Sequence, residues 1–236
     1  MYCLDIHTHS IASGHGTSAT IADMAKVAAA RGLKLLGISD HAPSTLCSGT
    51  TSYFRSLAMA PKQRCGIDLR YGVELNILDT KGTVDLDAST LAHLDYAIAS
   101  LHLPNFKPGS RQENTEAYIQ AMKHPYVKVI GHCDDTRYPA DYPAILQAAM
   151  EHHVFLEINN ASLSPDSYRG DTRENNKEIL RLCMQYRYPV LLSSDSHGTA
   201  HVGDFTYAEA LIKELDFPRE LILNTRADAA SLLFVC

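Results

Sequence analysis

Short apolar runs that alternate with longer amphipathic segments restrict the fold of this chain most strongly. Seven runs are short and rich in apolar and β-branched residues, which is typical of buried strands. They lie at 2–6, 33–39, 69–75, 95–101, 127–132, 154–159 and 190–195. Helices are predicted at 19–31, 52–63, 112–123, 141–153, 173–187, 206–215 and 226–234. This alternation predicts an α/β fold with parallel strands and right-handed crossovers.

Imidazole and carboxylate side chains lie at or just past the C-terminal ends of nearly all these strands. They are His7, His9, His41, Glu74, His102, His132, Asp195 and His197. A (β/α) barrel gathers such residues at the C-terminal face of its strands, where its active sites are built. A doubly wound open sheet would instead gather them at one switch point. We therefore predict a distorted seven-stranded (β/α)7 barrel, similar to a TIM barrel, with a metal cluster at that face.

The pair His7 and His9 ends the first predicted strand. Side chains of a strand alternate, so both imidazoles lie on one face, where they suit a metal such as zinc. His15 lies between Gly14 and Gly16, whose backbone freedom lets the chain bend toward this face. Burying so many imidazoles together is unfavourable without metal ions to pair them. Nitrogen-rich ligands favour zinc, manganese or iron over magnesium.

Composition narrows the class of protein further. A chain of 236 residues, 45% of them hydrophobic, predicts one domain over 1–236. The six cysteines form no CxxC pair and predict reduced thiols. With no signal sequence or membrane segment in evidence, these features predict a cytoplasmic protein. The net charge of −6 without a basic run argues against a dedicated nucleic-acid surface. A homo-oligomer is compatible with the sequence.

The ordered motifs of the chain resemble those of the PHP (polymerase and histidinol phosphatase) family. They are His7-Thr8-His9, His15, Ser39-Asp40-His41, Glu74, Ser100-Leu101-His102, Gly131-His132 and Ser194-Asp195-Ser196-His197. Length and spacing are most similar to the small stand-alone bacterial phosphatases of that family, which carry three zinc or zinc-like ions in a distorted barrel. One departure is Cys133-Asp134, where relatives often have Pro-Gly or a similar turn.

The resemblance implies three metal subsites, most readily filled by Zn²⁺, with Mn²⁺ or Fe²⁺ as alternatives. The first subsite takes His7, His9, Glu74 and Asp195. The second takes His102, His132 and the same Glu74 as a bridging carboxylate. The third takes His15, His41 and His197.

These subsites predict a phosphoesterase that hydrolyses phosphate monoesters. Two ions about 3.5–4 Å apart share a hydroxide, the expected nucleophile, so we assign Glu74, Asp195 and His197 to catalysis. The expected partner is a small phosphorylated substrate. Its phosphate would be bound by Arg137, Arg169 and Arg173, and Asn159 would orient it. Asp40 is expected to hydrogen-bond a ligand histidine.

Other functions share parts of this pattern. A metal-dependent amidohydrolase also has a His-x-His strand and a barrel, but it usually carries a lysine at a mid-chain strand end, where this chain has Glu74 and His102. A PHP-type nuclease is a third enzyme, which the acidic balance disfavours. Histidinol phosphate is an alternative substrate, although enzymes dedicated to it tend to be longer. A non-catalytic PHP module would be expected to have lost ligands.

Overall fold

The computed structural model describes residues 2–234, and its strands form a nearly closed barrel. The strands are β1 Leu4–Asp5, β2 Thr8–His9, β3 Leu35–Ile38, β4 Gln63–Arg64, β5 Ile67–Asn76, β6 Tyr96–Ser100, β7 Val127–Ile130, β8 Phe155–Asn159, β9 Val190–Ser193 and β10 Ser196–His197. The helices are α1 Ile21–Ala30, α2 Thr51–Ser56, α3 Ala88–Leu91, α4 Arg111–Met122, α5 Tyr142–His152, α6 Arg173–Tyr186, α7 Thr206–Glu214 and α8 Ala229–Leu233. Cys236 and the outermost ends of the predicted domain lie outside the described residues. The other cysteines are free thiols.

Seven parallel strands follow one another around the barrel in the order β1, β3, β5, β6, β7, β8, β9. The short strand β4 adds an antiparallel partner to β5. Strands β2 and β10, which follow the two end strands β1 and β9, pair with each other in parallel, with Thr8 beside Ser196 and His9 beside His197. The predicted seven-stranded barrel is confirmed, and its closure brings His9, near the start of the chain, next to His197.

The side chain of Asn224 bridges the seam between the two ends of the ladder, β1 and β9. The Asn224 amide donates to the carbonyl oxygens of Leu4 at 2.9 Å and Leu192 at 2.8 Å. Its Oδ1 atom accepts from the Leu192 backbone N–H at 2.8 Å. Asn224 thus supplies bonds that neighbouring strands would otherwise exchange.

The buried apolar residues form two clusters, one inside the barrel and one between the strands and the surrounding helices. In β8, Phe155 belongs to the inner cluster, whereas Leu156 and Ile158 pack outward with the helices. Because side chains alternate along a strand, Glu157 and Asn159 share the inward face of Phe155. The inside of the barrel is therefore apolar near the start of its strands and polar near their C-terminal ends.

Several predicted element bounds are corrected. The helix predicted at 52–63 ends early because the residue before Pro61 cannot stay helical, and Ala60 is extended at φ −73° and ψ 147°. Strand β4 and helix α3 were not predicted. Within residues 2–234, no helix has both the length and the apolar character needed to cross a bilayer.

Candidate active site

Glu74 is the centre of the polar cluster at the C-terminal end of the barrel. Its carboxylate is fully buried, and five imidazoles converge on it. The nitrogen–oxygen distances are 2.7 Å for His41, 2.9 Å for His132, 3.2 Å for His102, 3.4 Å for His7 and 3.5 Å for His9. We call Glu74, these five histidines, His15, Asp195 and His197 the histidine–carboxylate cluster.

Asp195 faces the same group from the seam of the barrel. Its Oδ1 atom lies 3.2 Å from His9 Nε2 and 3.6 Å from His7 Nε2. Its Oδ2 atom accepts from Arg169 at 2.9 Å. Asp195 adopts a left-handed backbone at φ 52°, and so does His132 at φ 28°. Such conformations are unfavourable for these residues and persist where the surrounding structure enforces them.

His15 and His197 complete the cluster on its outer side. The His15 ring lies 4.9 Å from the ring of His41 and 5.0 Å from that of His197, centroid to centroid. Gly16 follows at φ +77°, and a Cβ atom there would lie 3.0 Å from the His197 ring. A glycine at this position therefore allows His15 and His197 to approach each other. All nine predicted ligands lie at this one end of the barrel.

Divalent ions fit the donor set of this cluster. Buried polar atoms normally have a hydrogen-bond partner, yet several atoms here have none. They are His7 Nε2, His9 Nε2, His41 Nδ1, His102 Nε2, His132 Nδ1, His197 Nε2 and Glu74 Oε2. Three groups also offer ligand atoms within 4.8 Å of one another: His7, His9 and Asp195; His41, Glu74 and His102; His9, His41 and His197. The first contains three of the four residues of the predicted first subsite, and the other two cross the predicted divisions.

Neighbouring groups fix the orientation of three cluster histidines. His9 Nδ1 lies 2.9 Å from Ser13 Oγ, which itself donates to Asp40 at 2.7 Å. His102 Nδ1 lies 2.7 Å from the Asn76 amide oxygen. In each case Nδ1 carries the hydrogen, which leaves Nε2 free to act as a ligand. The sequence predicted a direct hydrogen bond from Asp40 to a ligand histidine. In the structure Asp40 instead acts on His9 through Ser13.

The third orienting group, Glu157, was missed by sequence reasoning. Its Oε1 atom accepts from His7 Nδ1 at 2.5 Å. The predicted strand 154–159 ends on an uncharged residue, Asn159, so a search of strand ends passes over Glu157. The available signal was the alternation of β8, which places Glu157 on the inward face between Phe155 and Asn159.

Burial and neighbouring charges together shift the pKa values of the cluster residues. Burial alone would raise the pKa of Glu74, but His102, His7 and His41 hold that pKa well below its usual range. Burial lowers the pKa of His102 to about 4, against the pull of Glu74. Burial also lowers the pKa of His9, reinforced by neighbouring His41 and His197. At His7, by contrast, burial lowers the pKa less than the surrounding carboxylates raise it. The site thus combines an ionised carboxylate with two imidazoles, those of His9 and His102, for which the neutral, metal-binding form is favoured.

A cavity of about 530 Å³ opens beside the cluster. Two of the predicted phosphate-binding residues line it, Arg137 and Arg169. Asp135, which is fully buried, holds the Arg137 guanidinium through Nε at 2.9 Å and Nη2 at 2.5 Å. The Tyr168 ring lies against both guanidiniums, 5.0 Å from Arg137 and 4.9 Å from Arg169.

Two other predicted substrate-binding residues are engaged elsewhere. Arg173 pairs with Glu214 on the surface and does not line this cavity. The Asn159 amide donates to Glu157 at 3.0 Å and Asp195 at 3.1 Å, and its oxygen accepts from the Ser162 N–H at 2.9 Å. Asn159 is therefore occupied in orienting carboxylates of the site.

Known proteins resemble this chain in sequence. Residues 5–161 match the family model described as PHP domain. The chain is 37% identical over 224 residues to a protein of Clostridium novyi named probable phosphatase, covering 95% of this chain and 91% of that protein. It is 41% identical over 226 residues to another protein so named, from Caldanaerobacter subterraneus, covering 95% and 88%.

The fold also resembles that of a solved structure from Lactococcus lactis. That structure is a histidinol phosphate phosphatase complexed with zinc, L-histidinol and phosphate. The TM-score is 0.58 at 20% sequence identity, and the match covers 92% of this chain and 95% of the other. At this identity the likeness speaks for the fold alone. The family match and the two relatives establish that the chain belongs to the PHP domain family.

Proposed function

We propose that this chain is a metal-dependent phosphatase that hydrolyses small phosphate monoesters. The observation that carries the proposal is the buried Glu74 carboxylate, encircled by five imidazoles that each have one ring nitrogen without a hydrogen-bond partner. Relatives named probable phosphatase support the reaction class. A cavity with two arginines beside the cluster supports an anionic substrate.

Three divalent ions, most readily zinc, would be held as the resemblance implies. His7, His9 and Asp195 would bind the first ion, His102 and His132 the second, and Glu74 would bridge the two. His15, His41 and His197 would bind the third. Ions in these places would lower the pKa of a water shared between them, giving a hydroxide nucleophile, and would neutralise phosphate oxygens.

The arginines of the chain would orient the substrate. Asp135 already fixes the guanidinium of Arg137, so little side-chain entropy is lost when Arg137 binds a phosphate oxygen. Arg169 is bonded to Asp195 at 2.9 Å, so it would position that carboxylate and approach the phosphate from the same side. The remaining cavity volume would take the alcohol part of the ester.

A panel of substrates tests the reaction class. We expect the zinc- or manganese-loaded protein to hydrolyse aryl and alkyl phosphate monoesters. Amides, lactones and a labelled oligonucleotide should react more slowly by orders of magnitude. The products would be measured in parallel: inorganic phosphate from the esters, amine or acid from the amides and lactones, and shortened strands from the oligonucleotide. Preferred hydrolysis of an amide or lactone would favour the amidohydrolase alternative, and degradation of the oligonucleotide would favour a nuclease.

Arg137→Ala tests the predicted phosphate contact. A charge-assisted hydrogen bond contributes about 1.5–3 kcal/mol, so we expect kcat/KM to fall by about 10- to 100-fold, chiefly through KM. Arg226→Ala is the matched control, because Arg226 also binds an aspartate two residues away through Nε and Nη2 but does not line the cavity. Equal kinetics for the two variants would remove Arg137 from substrate binding.

A further inference from the structure

Glu157 accepts four hydrogen bonds and lies fully buried inside the barrel. Its Oε1 atom accepts from His7 Nδ1 at 2.5 Å and from the Ser193 hydroxyl. Its Oε2 atom accepts from the His132 backbone N–H at 2.6 Å and from the Asn159 amide at 3.0 Å. Each oxygen therefore faces two donors. Only a carboxylate satisfies all four, because it accepts at both oxygens and donates at neither.

These bonds reach ligands of two different predicted subsites. The bond to His7 directs that ring's Nε2 toward Glu74 and Asp195 in the first subsite. Asn159 extends the connection, since its amide donates to both Glu157 and Asp195. The bond to the His132 N–H holds the left-handed backbone from which that ring reaches Glu74 in the second subsite. Among the described residues, no hydrogen bond joins Glu157 to His15, His41 or His197 of the third.

We propose that Glu157 is a positioning residue that holds the ligands of the first two metal subsites in register with each other. This inference rests on the proposed metal centre. Glu157 touches neither substrate nor ion; it sets the tautomer of one ligand and the backbone of another. Losing it should therefore weaken two ions together and leave the third in place.

Glu157→Gln is the decisive variant because it keeps the size of the side chain. In either orientation of the glutamine, its NH₂ group would meet two of the four donors. Partners that orient metal ligands contribute about 10- to 100-fold to affinity, so we expect two Zn²⁺ ions to bind about that much more weakly. The affinity of the third ion should stay within about twofold of the wild-type value. Titration of the metal-free protein with Zn²⁺ in competition with a chromophoric chelator measures how many ions bind and the affinity of each.

Gly16→Ala is the complementary variant, because it should affect the third subsite and leave the first two unchanged. Its Cβ atom would lie 3.0 Å from the His197 ring and the residue would keep φ +77°, so only the third ion should weaken. Thermal unfolding of the metal-free variants separates loss of metal from loss of fold. If Glu157→Gln does not fold, Glu157→Asp decides instead. That variant keeps the charge but, being one methylene shorter, withdraws the carboxylate from its donors, so it should weaken the first two ions and leave the third unchanged.

The outcomes separate this inference from the proposed function. Wild-type protein that binds no Zn²⁺ would overturn the proposed metal centre itself. If the wild-type protein binds Zn²⁺, two results for Glu157→Gln would overturn only the role of Glu157. One is that all affinities stay unchanged, and the other is that all ions bind more weakly to the same extent. Unchanged binding in Glu157→Asp would do the same where Glu157→Gln cannot be studied.

Discussion

Glu74→Gln is expected to lower kcat/KM for an aryl phosphate by about 10³-fold while the barrel stays folded. Stabilisation of transition-state charge by metal ions amounts to several kcal/mol, and each 1.36 kcal/mol is a factor of ten in rate. The glutamine keeps the volume of the side chain but removes the negative charge that faces the five imidazoles. It also replaces one bridging oxygen with an NH₂ group that cannot bind a cation. Steady-state kinetics with metal content measured on the same sample would check this.

A matched control separates the position of Glu74 from the change of charge. Glu113→Gln makes the same substitution at a carboxylate that caps the exposed start of α4. We expect that variant to keep wild-type kinetics, with a small loss of stability. If kcat/KM of the Glu74→Gln variant stayed within tenfold of the wild-type value, the bridging role proposed for this carboxylate would be contradicted.

Removal of metal ions is expected to abolish hydrolysis and to lower the thermal unfolding midpoint, and added Zn²⁺ or Mn²⁺ should restore both. A ligand that binds only the folded state stabilises it by about 4 kcal/mol at 1,000 times its Kd, so the midpoint should fall by several degrees. Glu74, Asp195 and Glu157 are all buried at this end of the barrel, and bound cations would compensate their charge.

Calorimetry and phosphate release before and after dialysis against a chelator would measure these two effects. The same chelator saturated with zinc beforehand is the control, because it can remove no further metal. Undiminished turnover by protein that elemental analysis shows to be free of metal would end the proposal of a metal-dependent phosphatase.

Much of the site could be predicted from sequence because its residues obey one simple rule. In a parallel barrel the C-terminal ends of all strands lie at one face, so residues far apart in sequence, such as His7, Glu74 and His197, are predicted to meet. Strand ends are visible in sequence as the boundary between an apolar run and a polar residue. The fold followed from the same boundaries and is confirmed.

Residues that act from within a strand or through a loop were harder to predict. Glu157 lies inside an apolar run, and recognising it requires knowing which face of β8 points inward. Arg173 opens a helix close to the site in sequence, but its pairing with Glu214 depends on how α6 packs beside α7. Asn224 lies in a single 3-10 turn, Leu223–Thr225, and nothing local to it indicates that it bonds across the seam. These positions are set by packing between elements that a single sequence does not specify.

The seam has a consequence for the order in which the protein folds. Its two sides come from opposite ends of the chain: Ser194 bonds to Asp5 across 189 positions, and His197 pairs beside His9. Contacts between distant segments require the largest loss of chain entropy and form late. Neighbouring strands such as β5 and β6 can associate early, whereas the ligand set is complete only when the ring of strands has closed. Uptake of the ions is therefore expected to be the last event on the folding pathway, and a chain that stalls before closure would lack a complete site for them.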